Sequence, residues 1–307
     1  MNTFGLQNIG VYVPAGRISN FQFKEKFEMD DAFIRDKIGF TSVARMAKDE
    51  GTTRLCLKAF DDLKAKTGIE PGQIQCVAVV TQNPDTNVPH TSALLHGALG
   101  LPESCACFDI SLACSGYVYG LSLIQSFMAA NGLECGLLFT ADPYSKIINP
   151  EDKNTTLLFG DAATVTLIGP APVYRTGRFN FGTIGREAGE LTVTDCLTMN
   201  GRAIYNFAAR YVPADIRTLA KKNGLELAQI DRFVLHQGSK FLIDTLAKLL
   251  GVSRDKVPFA AAEYGNTVSS SIPLILEPEF RDASAKRILI SGFGAGLSWA
   301  STILEKT

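Results

Sequence analysis

The chain has 307 residues, 46% of them hydrophobic, and its 30 Lys plus Arg against 31 Asp plus Glu leave a formal net charge of −1. That length suggests about two domains and a core that needs no disulfide staples. The near-neutral balance excludes a global basic field that would recruit nucleic acid or an anionic membrane, and no apolar run approaches the roughly 18 residues of a membrane span.

The opening stretch "MNTFGLQNIGVYVP" has no basic segment before an apolar one and no small-residue cleavage site, so a soluble cytoplasmic protein is expected. Seven scattered cysteines, an odd number without a CxxC pair, fit free thiols in a reducing compartment. Helical patterns cover 51–67 and 91–99, with the strand-like run "CVAVVT" (76–81) between them. "CACFDI" (105–110) follows, and Cys105 and Cys107 fall on one strand face rather than in a metal knuckle. The helical pattern 115–130 is apolar almost all round, which predicts burial between layers, and Asn131-Gly132 stops it. Strand-like runs "GLLFTA" (136–141), "TVTLIG" (164–169), "FVLHQ" (233–237) and "RILISG" (287–292) alternate with helical patterns at 201–222 and 239–250. Such alternation predicts α/β layers with helices over a mainly parallel sheet.

One internal similarity stands out. "GIEPGQIQCVAVVT" begins at Gly68 and "GLELAQIDRFVLHQ" at Gly224, an offset of 224 − 68 = 156. "LLFGDAATVTLI" (157–168) and "SGFGAGLSWASTIL" (291–304) form a shorter echo. A duplicated α/β unit is expected, with halves 1–170 and 171–307 joined at the Pro- and Gly-bearing "IGPAPVYRTG" (168–177). Two such halves bring the ends of their central elements to a shared crevice.

Cys114 stands where a strand hands over to a helix. It is either a packing residue, as cysteine often is, or a nucleophile: the unpaired N–H groups and dipole of the helix start lower a thiol's pKa. Of the three histidines, His90 and His96 read as structural. His236 ends a strand and falls, by the repeat offset, on apolar Val80 of the first half (236 − 156 = 80). Asn266 in "EYGNTVSSSIP" is a turn residue or a polar group presented before a helix. "SGFGAGLSWA" (291–300) is a glycine-rich turn that brings backbone N–H groups close to a ligand, without the layout of a P-loop.

Together these motifs resemble the thiolase-fold condensing enzymes of the β-ketoacyl-acyl-carrier-protein synthase III group. "DISLACSGY" is similar to the group's nucleophile signature, "LHQGS" to its histidine motif, "YGNTVSSSIP" to its asparagine motif, "GFGAGLSWA" to its C-terminal turn and "LFGDAATVTLIG" to the hairpin closing the first half. The resemblance implies a five-layer αβαβα fold of two similar halves, usually dimeric. It implies Cys114, His236 and Asn266 as a triad, with the amides of Cys114 and Ala295 as oxyanion hole. Cys114 would take an acyl group from coenzyme A as a thioester, with no permanently bound cofactor. A malonyl thioester, on acyl carrier protein or coenzyme A, would lose carbon dioxide, and its enolate would be stabilised by His236 and Asn266.

Several positions depart from the group's pattern. Phe33 stands where a Trp often stacks on adenine, and Lys37 and Lys153 stand at two phosphate-contacting Arg positions. Ser239 and Phe241 replace an Asn and an Arg, Ala295 replaces a glycine, and Val88 stands where a Phe often reaches across a dimer to limit the acyl pocket. A smaller Val88 implies chains longer or bulkier than acetyl. The alternative within the fold is acyl transfer to an alcohol or amine without decarboxylation. The order Cys, His, Asn also occurs in papain-like proteases, but "LACSGY" (112–117) does not match their nucleophile context. A non-catalytic subunit of a condensing pair is a further reading.

Overall fold

The computed structural model describes residues 4–282 and 284–307. Residues 1–3, part of the stretch read above for a leader, lie outside the described residues. In chain order the elements are β1 (Gly5–Tyr12), β2 (Gly16–Ser19), β3 (Ser42–Arg45), α1 (Thr52–Thr67), β4 (Cys76–Val80), α2 (Thr91–Leu99), β5 (Ala106–Ile110), α3 (Gly116–Asn131), β6 (Gly136–Ala141), α4 (Lys153–Thr156) and β7 (Ala163–Gly169). Then come β8 (Tyr174–Thr183), β9 (Leu191–Val193), β10 (Leu197–Met199), α5 (Gly201–Lys222), β11 (Arg232–Leu235), α6 (Lys240–Leu250), α7 (Ser271–Leu276), β12 (Arg287–Gly294) and β13 (Ser298–Lys306).

Nine strands form one sheet in the order β11-β12-β13-β8-β1-β7-β6-β4-β5. The same neighbour order occurs twice, as β1-β7-β6-β4 and as β8-β13-β12-β11, and the two runs meet through one residue pair, Leu6 with Tyr174. In each run the first two pairings are antiparallel and the third is parallel. The sheet is therefore mixed rather than mainly parallel: the returning strands β1, β7, β8 and β13 run against their neighbours.

The repeated sequence also repeats its local geometry. Glu70 donates its N–H to Gln73 Oε1 at 2.9 Å before β4, and Glu226 does the same to Gln229 before β11, also at 2.9 Å. Both are reciprocal capping boxes around a 3-10 turn.

Strand alternation sorts the core into layers. Val77 and Val79 of β4 face outward onto Leu55 and Phe60 of α1, whereas Ala78 and Val80 face inward onto α3. Phe233 and Leu235 of β11 face outward onto α5 and α6, and Val234 faces inward, into the cluster shared by α3 and α7. The order is thus α1/α2, half-sheet, α3/α7, half-sheet, α5/α6, five layers as expected. The N-termini of α1 and α2 are capped from a distance. Thr52 and Thr53 N–H donate to Asp85 at 2.7 and 2.8 Å, and Thr91 and Ser92 N–H to Asp109 at 2.7 and 2.9 Å.

Helix α3 departs from the expectation of complete burial. Leu123 and Phe127 are 46% and 37% exposed. They lie on the flank toward β5, the edge strand, where Phe108 meets Phe127 at a ring separation of 5.3 Å. The apolar side of α3 extends past the cover that this chain supplies.

Candidate active site

Cys114 sits in the loop between β5 and α3 and is buried. The loop is clamped against the end of β12. A Cβ at Gly294 would lie 3.1 Å from both Cβ and Sγ of Cys114, so only glycine lets that strand approach so closely. Ser115, the residue just before α3, does not cap the helix with its side chain. Its hydroxyl lies 2.8 Å from that of Ser298, which donates to the Ala295 carbonyl at 2.8 Å. The nucleophile loop and the C-terminal turn are therefore one hydrogen-bonded unit.

His236 is the first residue past β11. Its N–H bonds to the Ser291 carbonyl at 2.9 Å, and ring Nδ1 lies 2.7 Å from Ser271 Oγ. Its ring stands nearly perpendicular to that of Phe293, with the ring centres 5.6 Å apart. Val80, its counterpart in the first half, packs into α3 at Gly116 and Gly120. The repeat thus places an apolar core residue in one half and an imidazole in the other.

Asn266 is pinned across the two halves: its N–H donates to Leu158 O at 2.7 Å and its carbonyl accepts from Gly160 N–H at 2.9 Å. Its Oδ1 accepts from Val268 N–H at 2.9 Å. It is a turn residue and a presented group at once, because that bond engages the acceptor end and turns the NH2 end to the cavity. Val268 holds φ of 53°, a sparsely populated region for a β-branched residue.

Cys114, His236 and Asn266 line one cavity of about 330 Å³, which also receives Phe33, Lys37 and Lys153. Among the described residues the only charged ones lining it are the two lysines. The positions that depart from the family pattern meet in pairs: Lys37 Nζ lies 4.0 Å above the Phe241 ring, and Lys153 Nζ lies 4.4 Å above that of Phe33. Ala295 and Val88 fall outside this cavity. Ala295 lines a second one of about 600 Å³, and Tyr144 and Leu191 form the wall common to both. Val88 is 87% exposed. Sequence reasoning missed Tyr144, Leu191, Gly294 and Ser271. The triple serine after Val268 was a signal for the last; the short hairpin β9–β10, which carries Leu191, gave none.

The electrostatics correct one expectation. Burial pushes the Cys114 thiol well above its ordinary range, and the buried carboxylate of Asp142 pushes the same way. Desolvation therefore outweighs the helix-start effect, and the resting thiol is protonated. Burial holds His236 down at about 3, opposed by a hydrogen bond to the Val268 main chain, so the imidazole is neutral. Among the described residues no group of three or more His, Cys, Asp or Glu is arranged to hold a metal, and no helix is long and apolar enough to cross a membrane.

Residues 108–185 match the family model for 3-oxoacyl-[acyl-carrier-protein] synthase III, and residues 220–306 match the model of its C-terminal part. A β-ketoacyl-[acyl-carrier-protein] synthase III of Lactococcus lactis subsp. cremoris is 30% identical over 96% of each chain. A crystal structure of a 3-oxoacyl-(acyl-carrier-protein) synthase III superimposes with a TM-score of 0.94 at 31% identity, covering 99% of both chains. The priming β-ketosynthase of the R1128 polyketide biosynthetic pathway gives 0.91 at 26% identity over 99% of this chain and 97% of that one. The chain belongs to the 3-oxoacyl-[acyl-carrier-protein] synthase III family, acyl-transferring condensing enzymes of the thiolase fold.

Proposed function

We propose that this enzyme condenses an acyl-CoA starter with a malonyl thioester through an acyl-Cys114 intermediate. The observation that carries the reading is the shared cavity of Cys114, neutral His236 and donor-oriented Asn266, a cavity with no carboxylate among the described residues of its lining. In the first half-reaction the Cys114 sulfur attacks the thioester carbonyl, and its proton passes to His236. The amides of Cys114 and Ala295 receive the oxyanion. The oxyanion collapses, the carbon–sulfur bond to coenzyme A breaks, and the coenzyme takes the proton from His236 and leaves as a thiol through the mouth lined by Phe33, Lys37 and Lys153.

In the second half-reaction the bond from the malonyl methylene carbon to its carboxylate breaks, and the electron pair moves onto the thioester oxygen. N–H groups of His236 and Asn266 meet that developing charge, for which a neutral amide suits better than a repelling carboxylate. The enolate carbon then attacks acyl-Cys114, the carbon–sulfur bond breaks, the released Cys114 thiolate takes a proton from water, and a β-ketoacyl thioester leaves. Asn266 favours this over simple acyl transfer, which needs only a nucleophile, a base and an oxyanion hole.

The working unit is a homodimer in this reading. β5 offers an open sheet edge, and Phe108, Leu123 and Phe127 beside it form an apolar face suited to a second copy. The partner's Val88 loop then closes the second cavity, where the acyl chain lies. Phe127→Glu is expected to give a monomer on size exclusion, and an unchanged elution would count against this interface. Seven free cysteines fit a reducing cytoplasm. The extender comes on acyl carrier protein, in fatty-acid or specialised-metabolite synthesis.

Incubation with acyl-CoA tests the first step. The chain should gain the mass of one acyl group on Cys114, and Cys114→Ala should gain none. Acylation that persists in Cys114→Ala would end the assignment.

A further inference from the structure

Asp142 follows β6 and has no exposed surface. Uncharged donors hold its carboxylate: Gln82 N–H reaches Oδ1 at 2.7 Å and Ser269 Oγ reaches Oδ2 at 2.5 Å. Ser269 comes directly after Val268, the residue in the left-handed region whose N–H fixes Oδ1 of Asn266. The next two serines are anchored as well, Ser270 to Thr140 at 2.8 Å and Ser271 to His236 at 2.7 Å. One short segment thus carries three hydroxyls, two tied to the end of β6 and one to His236, and the Asp142 contact is nearest the Val268 turn.

We propose that Asp142 is a positioning residue for the decarboxylation half-reaction: its carboxylate anchors Ser269 and so holds the Val268 turn that aims the Asn266 amide. The inference rests on the roles given above to Cys114 and Asn266. A bulky residue keeps an unfavourable φ only when its surroundings over-determine it, and an acceptor for the hydroxyl of the following residue supplies that restraint. A buried negative charge near Cys114 resists a second negative charge there. The acyl donor then meets a thiol that gives up its proton only during attack.

Burial holds Asp142 up at about 6, opposed by its hydrogen bonds to Gln82 and Ser269. The titratable groups that its charge reaches are Cys114 in the loop before α3, Tyr144 in the turn after β6, and Cys56 on α1. Protonation removes one acceptor site and the charge. Decarboxylation therefore falls as pH drops through about 6.

The test uses the full chain with Asp142→Asn and Ser269→Ala, and two readouts: the rate of Cys114 acylation by acyl-CoA, followed by mass, and the rate of carbon dioxide release from malonyl-acyl carrier protein. Asp142→Asn should release carbon dioxide roughly tenfold more slowly and lose the fall near pH 6. Its acylation should be unchanged or up to about threefold faster. Ser269→Ala should slow decarboxylation about threefold, lose the acid limb as Asp142→Asn does, and acylate normally. Parallel loss of both rates in the variants would make Asp142 a structural cap and overturn the proposal, as would unchanged decarboxylation in both. If Asp142→Asn does not fold, Ser269→Ala decides on its rates alone. A native chain that releases no carbon dioxide overturns both this role and the condensing reading, whereas failure confined to the variants overturns only the role of Asp142.

Discussion

The imidazole Nδ1 of His236 lies 2.7 Å from the hydroxyl of Ser271, the residue that opens α7. A hydroxyl both donates and accepts, so Ser271 can hold either neutral tautomer of the ring. The proposed cycle needs that freedom: the imidazole takes a proton during acylation and offers an N–H to the enolate later.

Ser271→Ala should lower turnover roughly tenfold with little change in KM, because the ring loses its orientation but the cavity keeps its shape. Ser271→Thr should keep most of the activity. Steady-state kinetics check this, and an Ala variant with native turnover would remove Ser271 from the account.

The contact between Gly294 and Cys114 makes a second prediction. A methyl group at 294 would sit 3.1 Å from Sγ, so strand or nucleophile must shift. Gly294→Ala should acylate at least about tenfold more slowly while remaining folded. Native acylation rates by mass spectrometry would show that the close approach is not needed.

The raised thiol and the neutral imidazole predict a pH profile. With Cys114 held above its ordinary range by burial, the rate of its alkylation by iodoacetamide should keep rising past about pH 9. His236, at about 3, should add no limb near neutrality. A plateau below about pH 8 would mean a stabilised thiolate and would contradict this electrostatic picture.

Much of the scaffold was legible in the chain. The two capping boxes, Glu70 with Gln73 and Glu226 with Gln229, lie in the repeated sequence itself, and the helices 51–67 and 201–222 fall within a residue of their observed limits. The strand-to-helix position of Cys114 was equally local. What stayed hidden depends on distance along the chain. Asp142 meets Ser269 across 127 residues, and the caps on α1 and α2 come from Asp85 and Asp109 rather than from neighbours. The expected junction at 168–177 covers only the first four residues of β8, and the strand beyond it gave no signal because Arg, Gly and Asn interrupt its apolar positions. The expected low thiol pKa failed because burial, which no local pattern reveals, outweighs the helix start.

Val88 carries the prediction about substrate size. Its side chain is 87% exposed within the single chain and free to enter a partner's cavity. Val88→Phe should shift acylation toward acetyl-CoA and cut the rates with longer acyl-CoAs by about tenfold. A native profile maximal at acetyl, with nothing beyond butyryl, would show that Val88 does not open the pocket.

The most direct test of the account follows both products of one turnover. Acyl-Cys114 enzyme is mixed with a malonyl thioester labelled in its free carboxylate, and released carbon dioxide is counted against β-ketoacyl thioester formed. Equal amounts are predicted, with both lost in Cys114→Ala and strongly reduced in Asn266→Ala. Transfer of the acyl group without carbon dioxide release would contradict the assignment.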